Sequence, residues 1–125
     1  MPTVSLVLAA IAALLHVYFW VLESLVFRSP RAYRVFGVRE EEVEGLVFSM
    51  WNQGFYNLFL ALGTLVGVVG TFAGWEPQGP TLVVYGLLFM IGAALVLLVK
   101  KPSMLRAALV QGLLPLIALI VAWIW

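Results

Sequence analysis

Four long apolar stretches, separated by short polar segments, form the main pattern of this chain. They cover residues 3–27, 46–73, 81–99 and 104–125. A helix needs about 20 predominantly apolar residues to cross the roughly 30 Å hydrocarbon core of a bilayer, and each stretch is close to or above that length. The pattern therefore predicts an all-α, multi-pass membrane protein, built as a four-helix bundle in a single transmembrane domain.

The first connection, residues 28–45, is the longest and the most polar. It reads RSPRAYRVFGVREEEVEG, with Pro30 and Gly37 as helix breakers. It predicts a short interfacial helix, after which the second span begins near Val38. The connection also carries four glutamates, Glu40, Glu41, Glu42 and Glu44. They would lie in the first turns of the second span, where the helix dipole favours acidic residues; a cation site is the alternative.

Composition agrees with a membrane location. Hydrophobic residues make up 64% of the chain and charged residues 10%, against about 45–50% and about 25% in soluble domains. A soluble domain of 125 residues would be unable to bury this much apolar surface. Seven basic residues without interleaved aromatic residues do not make a nucleic-acid surface. The absence of cysteine excludes disulfides and thiolate metal sites.

All seven basic residues lie after the first and third stretches. They are Arg28, Arg31, Arg34, Arg39, Lys100, Lys101 and Arg106. The positive-inside rule therefore places both termini outside the cytoplasm. The first stretch has no basic residue before it and is too long for a signal peptide, so we expect it to be retained as a helix. The expected location is the cell membrane, inner or plasma, as a multi-pass protein.

Polar side chains within the spans concentrate in the predicted cytoplasmic half. They are His16, Trp20 and Glu23 in the first stretch, Asn52, Gln53, Tyr56 and Asn57 in the second, and Gln111 in the fourth. The 1.5 Å rise per helical residue places them at similar depths. His16 and Glu23 are seven residues apart, so they would share one face of a regular helix with Trp20 between them.

Glu23 is the most informative of these residues. A carboxyl group inside a span is costly unless it is protonated, paired or hydrated, and it indicates function by default. No Lys or Arg lies within the spans beside it, so Glu23 is expected to be neutral, hydrogen-bonded to carboxamides, or paired with protonated His16. The hypothesis is one cavity open to the cytoplasm, with Glu23 and His16 as catalytic residues. The other six residues would bind the substrate; carboxamides that merely join helices are the alternative.

Small residues characterise the opposite half. Gly63, Gly67 and Gly70 form a stripe on the second stretch, and Gly86, Gly92 and Ala93 offer the same on the third. Such stripes predict close contacts between helices. In the fourth stretch, Pro115 has no N–H to donate to the carbonyl of Gln111, and Gly112 allows another helix to approach.

Four strings of the sequence carry a family resemblance: ALLHVYFWVLE, SPRAYRVFG, NQGFYNLFLALG and VQGLLPLIAL. In this order they resemble the DUF1304 family of small bacterial and fungal membrane proteins, over nearly the whole chain. The resemblance implies a four-helix membrane protein and no established activity. The residues that match the family pattern are His16, Glu23, Asn52, Gln53, Gly54, Tyr56, Asn57, Gln111 and Gly112.

Three kinds of function remain open at this point. The first is an enzyme that carries out isomerisation, cyclisation or epoxide opening on an apolar, lipid-like substrate without a metal or cofactor. One His and one buried Glu are too few ligands for zinc. The second is a proton-coupled transporter similar to small multidrug exporters, which the one-sided charge distribution disfavours. The third is a lipid-binding accessory protein. The expected partner is a membrane lipid or an apolar small molecule, not nucleic acid, and homo-oligomerisation is left open.

The charge distribution predicts how single-cysteine variants react in intact cells. Ser29→Cys and Ser103→Cys should be shielded from a membrane-impermeant thiol reagent, whereas Gln78→Cys should be labelled. The native chain has no cysteine, so each variant carries one thiol. Labelling of both classes would demonstrate insertion in two orientations and would favour the transporter.

Overall fold

The computed structural model describes all 125 residues, and four of its helices are long and apolar enough to cross a membrane. The elements in chain order are α1 (Thr3–Trp20), a π-helical segment (Val21–Leu25), α2 (Pro30–Val35), a 3₁₀ turn (Glu40–Glu42), α3 (Val43–Phe72), α4 (Gln78–Lys100), a second 3₁₀ turn (Pro102–Met104) and α5 (Leu105–Ile124). No strand is present. The four-helix bundle predicted from the sequence is confirmed.

The four long helices form a ring in which each packs against two neighbours. α1 and α4 each lie between α3 and α5, and they are diagonal to each other with few contacts. Small residues of α1, including Ala9 and Ala13, are fully buried in one core cluster with larger side chains such as Leu87 and Met90 of α4. Many large apolar side chains remain exposed on the outside of the ring, as expected where lipid tails replace water.

Contacts at the two ends of the bundle show its up-and-down course. At one end, the hydroxyl of Ser5 donates to the carbonyl of Ala118 at 2.8 Å. At the other end, Arg28 pairs with Glu44 at 2.9 Å. We call this second end, formed by residues 26–42 and 100–106, the basic end because it contains every Lys and Arg of the chain.

The first connection contains the expected short helix, α2, but α3 begins later than predicted. Gly37 adopts φ +69°, in the left-handed region that glycine tolerates best, and the α-helix starts at Val43 rather than near Val38. Before it, Arg39 pairs with Glu41 at 3.6 Å and with Glu42 at 3.1 Å.

Most glutamates of the acidic run are therefore in ion pairs with arginine side chains. With Glu44 bound to Arg28, three of the four glutamates have a guanidinium partner. These pairs are solvent-exposed, so each contributes little to stability. Their arrangement supports the helix-start interpretation of this run over the cation site.

The predicted glycine contact between helices is present in part. A Cβ added at Gly67 would lie 2.7 Å from Leu82 Cβ and 2.8 Å from the backbone nitrogen of Val83. A Cβ at Gly79 of α4 would lie 2.5 Å from the backbone nitrogen of Thr71. Around Gly63, however, no such neighbour lies within 4 Å. The prediction was correct for Gly67 and wrong for Gly63, which makes no close helix contact.

The same geometry corrects the prediction for α4 and supports it for α5. Gly86 faces Thr64 of α3, and an added Cβ there would collide with the Thr64 hydroxyl, whereas Gly92 has open space. On α5, a Cβ at Gly112 would lie 2.8 Å from Ala94 Cβ. Gly86 and Gly112 therefore permit close helix contacts, and Gly92 does not.

Two alanine substitutions on α3 test this contact. Gly67→Ala should destabilise the protein by about 1–3 kcal/mol, a usual cost of overpacking, because its Cβ meets the backbone of α4. Gly63→Ala should leave stability unchanged or raise it slightly, since alanine favours a helix over glycine. The measurement is the midpoint of thermal unfolding in detergent. Equal losses for the two variants would show that the α3–α4 contact does not depend on the missing Cβ.

Candidate functional site

Glu23 lies at the centre of the π-helical segment and is only 1% exposed. A π-helical turn bonds residue i to i+5, and such turns occur frequently at functional sites. Here the N–H of Val26 donates to the carbonyl of Val21 at 3.1 Å. The wider turn changes the direction in which Glu23 points relative to α1. The regular α-helix that carries His16 therefore ends at Trp20, before Glu23.

Two carboxamides of α3 hold the carboxyl group of Glu23. Gln53 Nε2 donates to Glu23 Oε2 at 2.6 Å, and Asn57 Nδ2 donates to Glu23 Oε1 at 2.6 Å. Gln53 and Asn57 are four residues apart, so their side chains lie one above the other on one face of the helix. We call Glu23, Gln53 and Asn57 the carboxyl–carboxamide cluster. Two of the three carboxamides in the NQGFYN string thus have a defined partner.

The cluster can accommodate both protonation states of Glu23. An ionised carboxylate accepts one hydrogen bond from each NH₂ group. A protonated carboxyl can donate its O–H to the oxygen of one carboxamide, after that amide rotates by half a turn, while it still accepts from the other. The salt bridges of the chain lie in the connections and the start of α3, and none reaches Glu23. Gain or loss of a proton therefore need not break either hydrogen bond.

Gly54, between the two carboxamides, allows α3 to approach the π-helical segment. A Cβ at this position would collide with the hydroxyl oxygen of Ser24 and would lie 3.1 Å from Glu23 Cβ. Ser24 in turn donates to the carbonyl of Trp51 at 2.7 Å. Ser24 was not among the predicted site residues, and its only signal in the sequence is its position next to Glu23. Ser24 and Gly54 together keep the carboxyl group within reach of its carboxamide partners.

A groove of about 550 Å³ extends from Glu23 towards the basic end. Ligand-binding sites typically have volumes of about 300–1,000 Å³. The lining residues are Glu23, Ser24, Leu25, Val26, Phe27, Arg28, Ser29, Val47, Phe48 and Trp51. Polar groups therefore occur at both ends, at Glu23 and Ser24 and again at Arg28 and Ser29, and apolar side chains form the walls between them.

His16, the second predicted catalytic residue, is buried and hydrogen-bonded to its own helix. Its Nδ1 lies 2.8 Å from the carbonyl oxygen of Ala12. Because a carbonyl oxygen only accepts, Nδ1 carries the proton, and in the neutral ring Nε2 is free to accept one. The imidazole also packs edge-on against Phe19, with ring centroids 5.1 Å apart. His16 is thus not a direct hydrogen-bond partner of Glu23.

The other predicted binding residues surround the cluster in different ways. Asn52 and Tyr56 are exposed on the surface of α3, and Gln111 is half-buried on α5. Trp20 packs against Phe55, with ring centroids 5.8 Å apart, and its Nε1 is buried without an acceptor. Of the residues expected to line one cavity, only Glu23 lines the groove. The structure joins Glu23, Gln53 and Asn57 by hydrogen bonds and leaves the remaining predicted residues outside this cluster.

Comparison with known proteins agrees with the sequence resemblance. A family model described as "Protein of unknown function (DUF1304)" matches residues 10–123. The chain belongs to the DUF1304 family. No curated protein and no solved structure matches it. The matched range includes the whole carboxyl–carboxamide cluster and every residue that lines the groove.

The contribution of the cluster to the stability of this DUF1304 chain can be measured by substitution. Asn57→Ala should lower the free energy of unfolding by about 1–3 kcal/mol, because one oxygen of buried Glu23 loses its partner. Asn52→Ala, on the exposed side of the same helix turn, should change it by less than about 0.5 kcal/mol. Thermal unfolding of purified protein in detergent provides the comparison. Similar losses in both variants would mean that the cluster adds nothing specific to stability.

Proposed function

We propose that the DUF1304 chain is a membrane enzyme that uses Glu23 for acid/base chemistry on an apolar, lipid-like substrate, without a cofactor. The supporting observation is the buried carboxyl group, held by two carboxamides, at the inner end of a groove. Glu23 belongs to both features, since it is bonded to Gln53 and Asn57 and also lines the groove. A molecule in the groove would meet a group able to exchange a proton.

The chemistry follows from the hydrogen bonds of the cluster. Neutral Glu23 donates its proton to an oxygen of the substrate, such as that of an epoxide, a carbonyl or a hydroxyl group. The carboxylate that forms can accept N–H hydrogen bonds from both Gln53 and Asn57, which stabilise its charge. It then accepts a proton from a carbon of the substrate or from water, which restores the neutral acid. This cycle suits isomerisation, cyclisation and epoxide opening.

His16 serves as the second proton-transfer group in this proposal. Its Nδ1 is directed to the carbonyl of Ala12, so the available atom is Nε2. Because His16 is not bonded to Glu23, a proton would pass between them through the substrate or a water molecule. Which of the two acts as acid and which as base depends on the substrate.

A proton-coupled transporter is the second candidate, because the cluster also suits a Glu that loads and unloads a proton. A transporter must expose its substrate site to both sides of the membrane in turn. The half of the bundle opposite the basic end contains the tight α3–α4 contact at Gly67 and Gly79, and the groove extends only towards the basic end. This difference between the two halves favours the enzyme.

The decisive experiment compares the native chain with Glu23→Gln. Both proteins are reconstituted in liposomes made from a total lipid extract of the expression host, and the lipids are followed by untargeted mass spectrometry. The native protein should convert one lipid species into an isomer or into a product that contains one more water molecule. Glu23→Gln should fold normally, because glutamine can accept from one carboxamide and donate to the other, but it should lose conversion by about a hundredfold or more.

Gly63→Ala is the matched control, since Gly63 is remote from the cluster and has open space around it. It should retain full conversion. Conversion that survives in Glu23→Gln would overturn the acid/base role of Glu23. If a proton gradient drives movement of a chemically unchanged solute, and Glu23→Gln abolishes this movement, the protein is a transporter rather than an enzyme. If the protein retains a bound lipid but shows neither activity, it is a lipid-binding accessory protein.

A further inference from the structure

We propose that the groove and a row of aromatic rings on α3 form one binding site for an uncharged, single-chain lipid with a terminal hydroxyl or carbonyl oxygen. This inference rests on the proposed function in one respect, since it names the substrate class that Glu23 would act on. Binding itself does not require turnover, so the two can be tested separately.

The row of rings, here called the aromatic ladder, consists of Phe48, Trp51, Phe55 and Phe59. Its consecutive ring centroids are 6.4, 4.9 and 6.2 Å apart. The spacing of three, four and four residues keeps the rings on one face of α3. At 1.5 Å per residue the ladder is about 16 Å long, roughly half the thickness of the hydrocarbon core.

The aromatic ladder is continuous with the groove. Phe48 and Trp51 line the groove, and Phe48, Trp51 and Phe59 are 77%, 47% and 64% exposed on the outside of the bundle. An apolar chain whose end lies in the groove would therefore run along these rings towards the middle of the bilayer. This surface suits a lipid with a single hydrocarbon chain, because the aromatic ladder is one row of rings and can contact one chain along its length.

The charges around the groove favour an uncharged ligand. At the outer rim, Arg28 Nε and Nη2 donate to the two carboxylate oxygens of Glu44 at 2.9 and 3.2 Å. This ion pair is neutral overall, and the groove contains no other Lys or Arg. A phosphate or carboxylate headgroup would meet a guanidinium whose charge Glu44 already balances, and a cationic headgroup would meet a carboxylate already balanced by Arg28. A neutral oxygen function needs no charged partner here.

Hydrogen-bonding groups near the inner end suit a hydroxyl or carbonyl oxygen. Gln53 and Asn57 use their NH₂ groups on Glu23, so their amide oxygens remain able to accept. A hydroxyl group both donates and accepts, and a carbonyl oxygen accepts. Within the groove itself, Glu23 and Ser24 are the polar residues at this end, and either oxygen function can hydrogen-bond to them, whereas a plain hydrocarbon cannot.

The chain also contains a surface that serves as an internal control. A second depression of about 420 Å³ is lined by Leu95, Val96, Val99 and Lys100. It has apolar walls and one charged residue, but no carboxyl group and no aromatic ring. General adsorption of lipid should occur at both surfaces, whereas specific binding should occur at the groove alone.

Photolabelling of the full chain in lipid nanodiscs tests the proposal. The probe is a long-chain primary alcohol with a diazirine midway along the chain, and labelled peptides are identified by mass spectrometry. Three probes with the same chain end in a phosphate, a quaternary ammonium or a methyl group instead. We expect the alcohol to label residues 47–59 about tenfold more than residues 95–100, equivalent to ~1.4 kcal/mol of preference, and the other three probes to show little preference.

Two matched tryptophan substitutions make the result specific. Val47→Trp fills the groove and should remove the preference for the alcohol, whereas Val96→Trp, in the second depression, should leave it intact. Glu23→Gln should still be labelled, because glutamine keeps the hydrogen-bonding groups. Equal labelling by the alcohol and the methyl-ended probe, stronger labelling by the phosphate, or labelling unaffected by Val47→Trp would each overturn the proposal.

The outcomes also separate this inference from the proposed function. Preferential labelling in a protein that converts no lipid would support the binding site and contradict the enzyme. Conversion that depends on Glu23, without preferential labelling by the alcohol, would support the enzyme and contradict the ligand class proposed for the groove.

Discussion

A carboxyl group inside an apolar helix needs hydrogen-bond partners, and no cation of this chain pairs with Glu23. The partners come from Gln53 and Asn57 on the neighbouring helix. For those side chains to reach Glu23, the two backbones must lie close together, and Gly54 provides the space. A glycine within a helix is less favourable than alanine by roughly 0.5–1 kcal/mol. Gly54 therefore makes α3 less stable as a helix, but it allows Glu23 to be buried with its hydrogen bonds intact.

The two halves of the bundle differ in how closely their helices pack. Away from the basic end, α3 and α4 are in backbone contact around Gly67 and Gly79, and Ser5 ties the start of α1 to α5. Towards the basic end, the helix that continues α1 ends soon after Glu23, and the chain leaves the bundle to form α2. The groove occupies the space beside this exit. Close packing in one half and an early helix end in the other thus leave a groove beside buried Glu23 on one side only.

Much of this arrangement could be predicted from the sequence, because it follows from the cost of exposing or burying particular groups. Apolar length predicted the four helices, and Glu23, Gln53 and Asn57 were recognisable because polar groups are rare within spans. The direction in which each residue faces depends on the rotation of its helix, and this rotation was not predictable from the sequence. The π-helical segment carries no simple sequence signal, so the departure of Glu23 from the regular helix that carries His16 could not be predicted. Gly63 and Gly67 are alike in sequence, and only the position of α4 distinguishes them.

The identity of the partners of Glu23 bears on its role. A lysine or arginine in their place would hold Glu23 as a fixed anion, whereas carboxamides both donate and accept, so they stabilise the acid and its conjugate base alike. Stability alone does not call for a carboxyl group here. Glutamine at position 23 could make the same two hydrogen bonds without the burial cost of an ionisable group. The feature that glutamate adds over glutamine is an exchangeable proton, and this favours proton transfer over simple attachment of helices as the role of the cluster.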